Sequence, residues 1–73
     1  MSHAPQIVDA LDDVRLDAVS HLARIAVSYW RSIELAADRR EAHLVILHGK
    51  QVAEVTREAF EIITLLGSEE SGL

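Results

Sequence analysis

The chain has 73 residues, no cysteine, and 12 acidic against 7 basic residues, for a formal net charge of −5. This length supports one small core at most, and without cysteine neither disulfides nor thiolate-bound metal can reinforce it. The acidic balance argues against a free-standing nucleic-acid binder, because such proteins draw most of their nonspecific affinity from a basic patch on phosphate.

The apolar content of 49% argues against disorder. The opening stretch MSHAPQIVDALDD has no basic segment leading into an apolar one, so it does not read as a signal peptide. No apolar run approaches the roughly 20 residues that a membrane span needs. With the missing cysteines, this makes a cytoplasmic protein without membrane association the expectation.

A single helical domain over 1–73 is predicted, with a first helix over about 5–37. Pro5 suits a first helical turn, where its missing N–H is no loss. At about 100° per residue, Ile7, Leu11, Val14, Ala18, Leu22, Ile25, Tyr29 and Ala36 form one stripe. Val8, Val19, Ala26, Trp30, Ile33 and Ala37 broaden it on one side, while Asp13, Asp17, Ser20, Arg24, Arg31 and Asp38 lie opposite. Arg15 falls beside Leu11 and Leu22, and snorkelling from the edge of the apolar arc is its ordinary explanation, with binding of an anionic ligand between helices as the alternative.

The phase breaks at ADRRE, since continuing the helix would bring Arg40 onto the apolar stripe. Asp38 and Glu41 have capping-box spacing, with Asp in the role of Ser or Thr. A tight connection near Asp38–Arg40 is therefore expected, followed by a second helix over about 39–66. A single uninterrupted helix is the alternative. In the second helix, Val45, His48, Val52, Val55, Ala59, Ile62 and Leu66 form a heptad seam, widened by Ile46, Ala53 and Phe60. Gly67 fits a C-terminal cap, and the tail over 67–73 reads as frayed.

Both apolar arcs are too wide for one neighbour. The expected solution is an all-α antiparallel hairpin that pairs with a second copy in a four-helix bundle. The residues expected to form the dimer core are Leu22, Ile25, Tyr29, Val52, Val55, Ala59 and Ile62.

His43 and His48 are five residues apart, which on one helix points them about 140° from each other, so they cannot share a metal ion. His48 lies on the seam, where a polar residue sets register. Gly49 is read as permitting close helix approach or a local bend. Asp17 and His21 stand one turn apart, the spacing of a surface ion pair. No nucleophile triad, phosphate loop or Glu-x-x-His signature is present. The expectation is a protein that is not an enzyme and uses no cofactor or metal.

LDDVRLDAVSHLARI, from Leu11 to Ile25, resembles the first helix of the TraM-type quorum-sensing antiactivators through Leu11, Val14, Leu16, Asp17, Ala18, Val19 and Ile25. IITLLG, from Ile62 to Gly67, resembles the end of that family's last helix. The chain is shorter than the family, and its connection is reduced to ADRRE. The resemblance implies a dimer of antiparallel hairpins that binds a LuxR-type transcription factor and keeps it from its promoter.

From the residues themselves, a partner site is expected among Trp30, Leu35, Leu47, Phe60 and Leu65, with Glu54, Glu58 and Glu61 as an acidic rim. Burial within the dimer is the competing expectation for Trp30 and Phe60. A Rop-like nucleic-acid-binding regulator is the alternative function, and it requires Arg24, Arg31, Arg39 and Arg40 to align across a dimer. A helical-bundle metal protein or enzyme subunit ranks below both.

Overall fold

Two amphipathic segments joined at a phase break build a hairpin. The structure, a computed structural model, describes the backbone of residues 6–67 and the side chains of residues 10–67. Pro5, the side chains of Ile7 and Val8, and the tail over 68–73 lie outside the described residues. Among those described, all regular structure is helical. α1 spans Gln6–Asp38 and α2 spans Ala42–Ile63, packed antiparallel.

The turn explains why α1 stops where it does. Glu41 N–H donates to the Ala36 carbonyl at 2.9 Å, and Arg40 N–H donates to the Ala37 carbonyl at 3.0 Å. These two bonds form a Schellman motif, which satisfies carbonyls that the helix end would leave orphaned. The motif places Arg40 in the left-handed region, at φ 61°. The expected capping box does not form: Asp38 is still inside α1, and Glu41 is the N-cap of α2 with no side-chain capping bond. The left-handed residue between them replaces the direct entry into a helix that such a box requires.

Arginine at a left-handed position carries a Cβ clash that glycine avoids. Arg40→Gly is therefore expected to stabilise the protein by about 1 kcal/mol, raising the melting temperature by roughly 4–8 °C for a domain of this size. A melt followed by circular dichroism checks this, and an unchanged or lower midpoint would count against the strain.

At the other end α2 tightens before it stops. Leu65 N–H and Leu66 N–H donate to the carbonyls three residues back, at 2.9 and 3.1 Å. Gly67 follows with φ 73°, a conformation its missing Cβ permits.

The two seams meet along the hairpin. Leu22, Ile25, Tyr29, Val55, Ala59 and Ile62 are half-buried there, and Val52 is buried. The seven residues expected to form a dimer core thus line the seam within one chain. Leu11 and Val14, predicted on the same stripe, are exposed. α1 has 33 residues and α2 has 22, so the N-terminal part of α1 runs past the helical part of its neighbour. Among the described residues only Ala36 and Val52 are buried. The smallest extent is 12 Å, the thickness of one layer of helices.

Candidate functional site

In both helices, the residues that follow and precede the seam define the two broad faces of the hairpin. On α1 the residue after each seam position gives Leu16, Val19, Ala23, Ala26, Trp30, Ile33 and Ala37. On α2 the same step gives Ala42, Ile46, Gly49, Ala53, Thr56, Phe60 and Ile63. Each set runs in steps of three and four, a second heptad register rotated about 100° from the seam. The helices are antiparallel, so both their axes and their seam directions are opposed. An equal rotation in each therefore ends on the same side. A groove near the turn is lined by Ala37, Ala42, Val45 and Ile46 together with Arg40 and Glu41, which joins the two registers into one apolar face. Trp30 is 57% exposed on this face, and Phe60 59%.

The residues before the seam build the opposite face. α1 contributes Asp17, His21, Arg24, Ser28, Arg31 and Leu35, and α2 contributes Leu47, Gln51, Glu54, Glu58, Glu61 and Leu65. A groove lined by Ser32, Leu35, Leu44 and His48 shows that the two helices meet on this side as well. Six of the eight residues expected at a partner site, Leu35, Leu47, Glu54, Glu58, Glu61 and Leu65, share this polar face. Trp30 and Phe60 belong to the other. Glu54 and Arg57 approach to 3.9 Å, both well exposed, a pair of little energetic weight.

His48 sits on the seam, half-buried. Its Nδ1 is 2.8 Å from Oε1 of Gln51, and its ring stacks on Tyr29 with centroids 6.3 Å apart. The imidazole thus touches both helices and fixes their level. His43 is exposed on α2. Among the described residues no three His, Cys, Asp or Glu side chains are grouped to hold a metal ion. Asp17 and His21, predicted as a surface ion pair, make no hydrogen bond or ion pair; both side chains are exposed to water, which competes for them.

Arg15 corrects the snorkelling expectation. Its guanidinium reaches across to the other end of the chain and donates to the Leu65 carbonyl at 2.9 Å, with Asp12 Oδ1 3.6 Å away. The same Asp12 oxygen accepts from Gly67 N–H at 3.3 Å. Asp12 and Arg15 thereby hold the end of α2 against α1. No periodicity within α1 reports these contacts, because the partner groups lie 50 and 55 residues away. Arg15→Met keeps the apolar stem and removes the charge-assisted bond, at an expected cost of about 1.5–3 kcal/mol. Amide exchange checks the location: protection should fall first around Thr64–Gly67.

Of the two roles expected for Gly49, close helix approach is not seen within the hairpin. A Cβ built there meets nothing within 4 Å, so no close approach within the hairpin requires glycine. The arginines of the alternative reading are dispersed. Arg24 and Arg31 line a shallow groove on α1 with Ser20 and Ser28, Arg39 borders the polar-face groove, and Arg40 borders the apolar one.

No helix among the described residues is long and apolar enough to cross a membrane. Comparison of the chain with family models, curated proteins and solved structures finds no match. The class that the structure defines is a two-helix, all-α hairpin, and its function is read from its surfaces.

Proposed function

We propose that the protein is a small regulator that works by binding another protein through its polar face. The observation carrying this reading is the line Leu47, Gln51, Glu54, Glu58, Glu61 and Leu65 along α2, with exposed leucines at both ends of three carboxylates. Leucine anchors flanking like charges suit a partner with apolar pockets inside a basic surface. The resemblance of Leu11–Ile25 and Ile62–Gly67 to the TraM-type antiactivators supports a LuxR-type transcription factor as that partner. Its DNA-binding domain carries the required charge, and covering it would keep the activator from its promoter.

A gel shift with the host's LuxR-type activator and promoter DNA tests the reading. The protein should release the DNA at a stoichiometric ratio, and Glu58→Lys should weaken the release while leaving helicity intact. Activator that stays on DNA with the protein in excess would sink the proposal. The groove holding Arg24 and Arg31 favours a second reading, in which the same face binds nucleic acid. That reading requires a shift of RNA or DNA by the protein alone, strengthening steeply as salt falls.

A further inference from the structure

We infer that two copies of the chain pack apolar face on apolar face, with their turns at opposite ends, about a dyad passing through the level of Ala26 and Ala53. This goes beyond the proposed function, since it concerns the other face and other residues.

Surface area points to the occupant. The chain exposes 5575 Å², whereas a compact protein of 8.1 kDa exposes about 4,500 Å². Two separate chains expose about 11,000 Å² and a compact dimer of twice the mass about 7,500 Å², so pairing has up to roughly 3,700 Å² to bury, within the range of homodimer interfaces. The face from Leu16 to Ala37 spans 21 residue rises, about 32 Å, and crosses both helices. Covering it with a second layer converts a one-layer structure into the two layers on which small domains are built.

The order of side chains selects the arrangement. The bond between Asp12 and Gly67 sets the level of the two antiparallel helices, and the Tyr29–His48 stack agrees with it to within about two residues. Along the apolar face, Trp30 is therefore level with Gly49, Ala26 with Ala53, and Leu16 with Ile63. With the turns at opposite ends, each helix lies against its own counterpart. Trp30 then meets the partner's Ala23, Leu16 meets the partner's Ala37, and Ile63 meets the partner's Ala42. Most large side chains oppose small ones, the exceptions being Phe60 against the partner's Ile46 and Val19 against the partner's Ile33. At the dyad alanine meets alanine, so the backbones approach closely. With the turns at the same end, Trp30 would meet the partner's Gly49. Leu16, however, would crowd the partner's Ile63, Ile33 the partner's Ile46 and Val19 the partner's Phe60, while Ala37 and the partner's Ala42 would leave a void. Interiors hold near-constant packing density, and the first arrangement is the one that meets it. Gly49 acquires a reason here: it lies beside Trp30 on the face where the second layer arrives, not within the seam.

The chain has no cysteine, so introduced ones report the arrangement directly. Sedimentation equilibrium of the full chain should give a dimer at tens of micromolar, and Trp30→Ala should weaken it by about 100-fold or more. Under mild oxidation A26C should crosslink to itself, and so should A53C, because both sit on the dyad. A helical monomer at tens of micromolar would overturn the inference. So would a dimer in which neither single variant crosslinks, or one crosslinking only when A26C and A53C are mixed, the mark of turns at the same end. A monomer that still strips the activator from DNA would refute the dimer and leave the proposed function standing. A crosslinked dimer that leaves the DNA occupied would do the reverse.

Discussion

Val52→Asp is expected to abolish the folded hairpin. Val52 is 5% exposed, and with Ala36 it is one of the two buried residues among those described. Removing its burial forfeits about 1.5–3 kcal/mol. An unpaired carboxylate in its place costs several kcal/mol more, unless it takes up a proton. A chain of this length has a total stability of only about 4–11 kcal/mol, so the loss takes most or all of it. Val52→Ala removes less, about 2 kcal/mol, and should leave a folded protein with a lower melting temperature. Lys50→Asp, on the exposed outer side of the same helix, should change stability by no more than about 0.5 kcal/mol. Circular dichroism melts of the three variants decide the matter. A Val52→Asp protein as helical and as heat-stable as the parent would show that the seam is not the source of stability.

Reversing Glu54, Glu58 and Glu61 to Lys together is expected to have the largest effect on partner binding. Each reversal changes the charge by two, so the formal net charge moves from −5 to +1. The three residues lie along one line of α2 and point to solvent, so folding should be little affected. The proposed basic partner surface would meet repulsion in place of attraction, which slows encounter and reverses the sign of the salt dependence of association. Affinity for the proposed partner, a LuxR-type activator, should fall by a factor of ten or more, about 1.4 kcal/mol, measured at low salt by calorimetry. The difference from the parent protein should shrink as salt is raised. An unchanged affinity at low salt would remove α2's acidic line from the interface.

The registers in the sequence make much of this hairpin legible. The three-and-four steps through Leu22, Ile25 and Tyr29, and through Val52, Val55, Ala59 and Ile62, mark the stripes that each helix buries, because side-chain direction follows from helical pitch alone. The phase break at ADRRE marks the turn for the same reason. The turn's own geometry was less readable. Asp38 and Glu41 have the spacing of a capping box, yet Arg40 takes the left-handed position that glycine usually holds, and no local pattern announces an arginine there.

Helical period and residue order by themselves determined that both helices carry apolar arcs too wide for one neighbour, with Trp30 and Phe60 on their edges. Only the tertiary structure decided that the two surplus arcs fall on one side, because that depends on the antiparallel direction of α2 and on its level against α1. The same docking puts Trp30 and Phe60 on one face of the hairpin and Leu35, Leu47 and Leu65 on the other, so the five do not line a single surface. It also gives Arg15 its acceptor, since the carbonyl of Leu65 comes within reach only once the chain has doubled back. Pitch is a property of each segment and is written in its residues. Relative direction, level and facing belong to the pair, and they exist only after the two helices have packed.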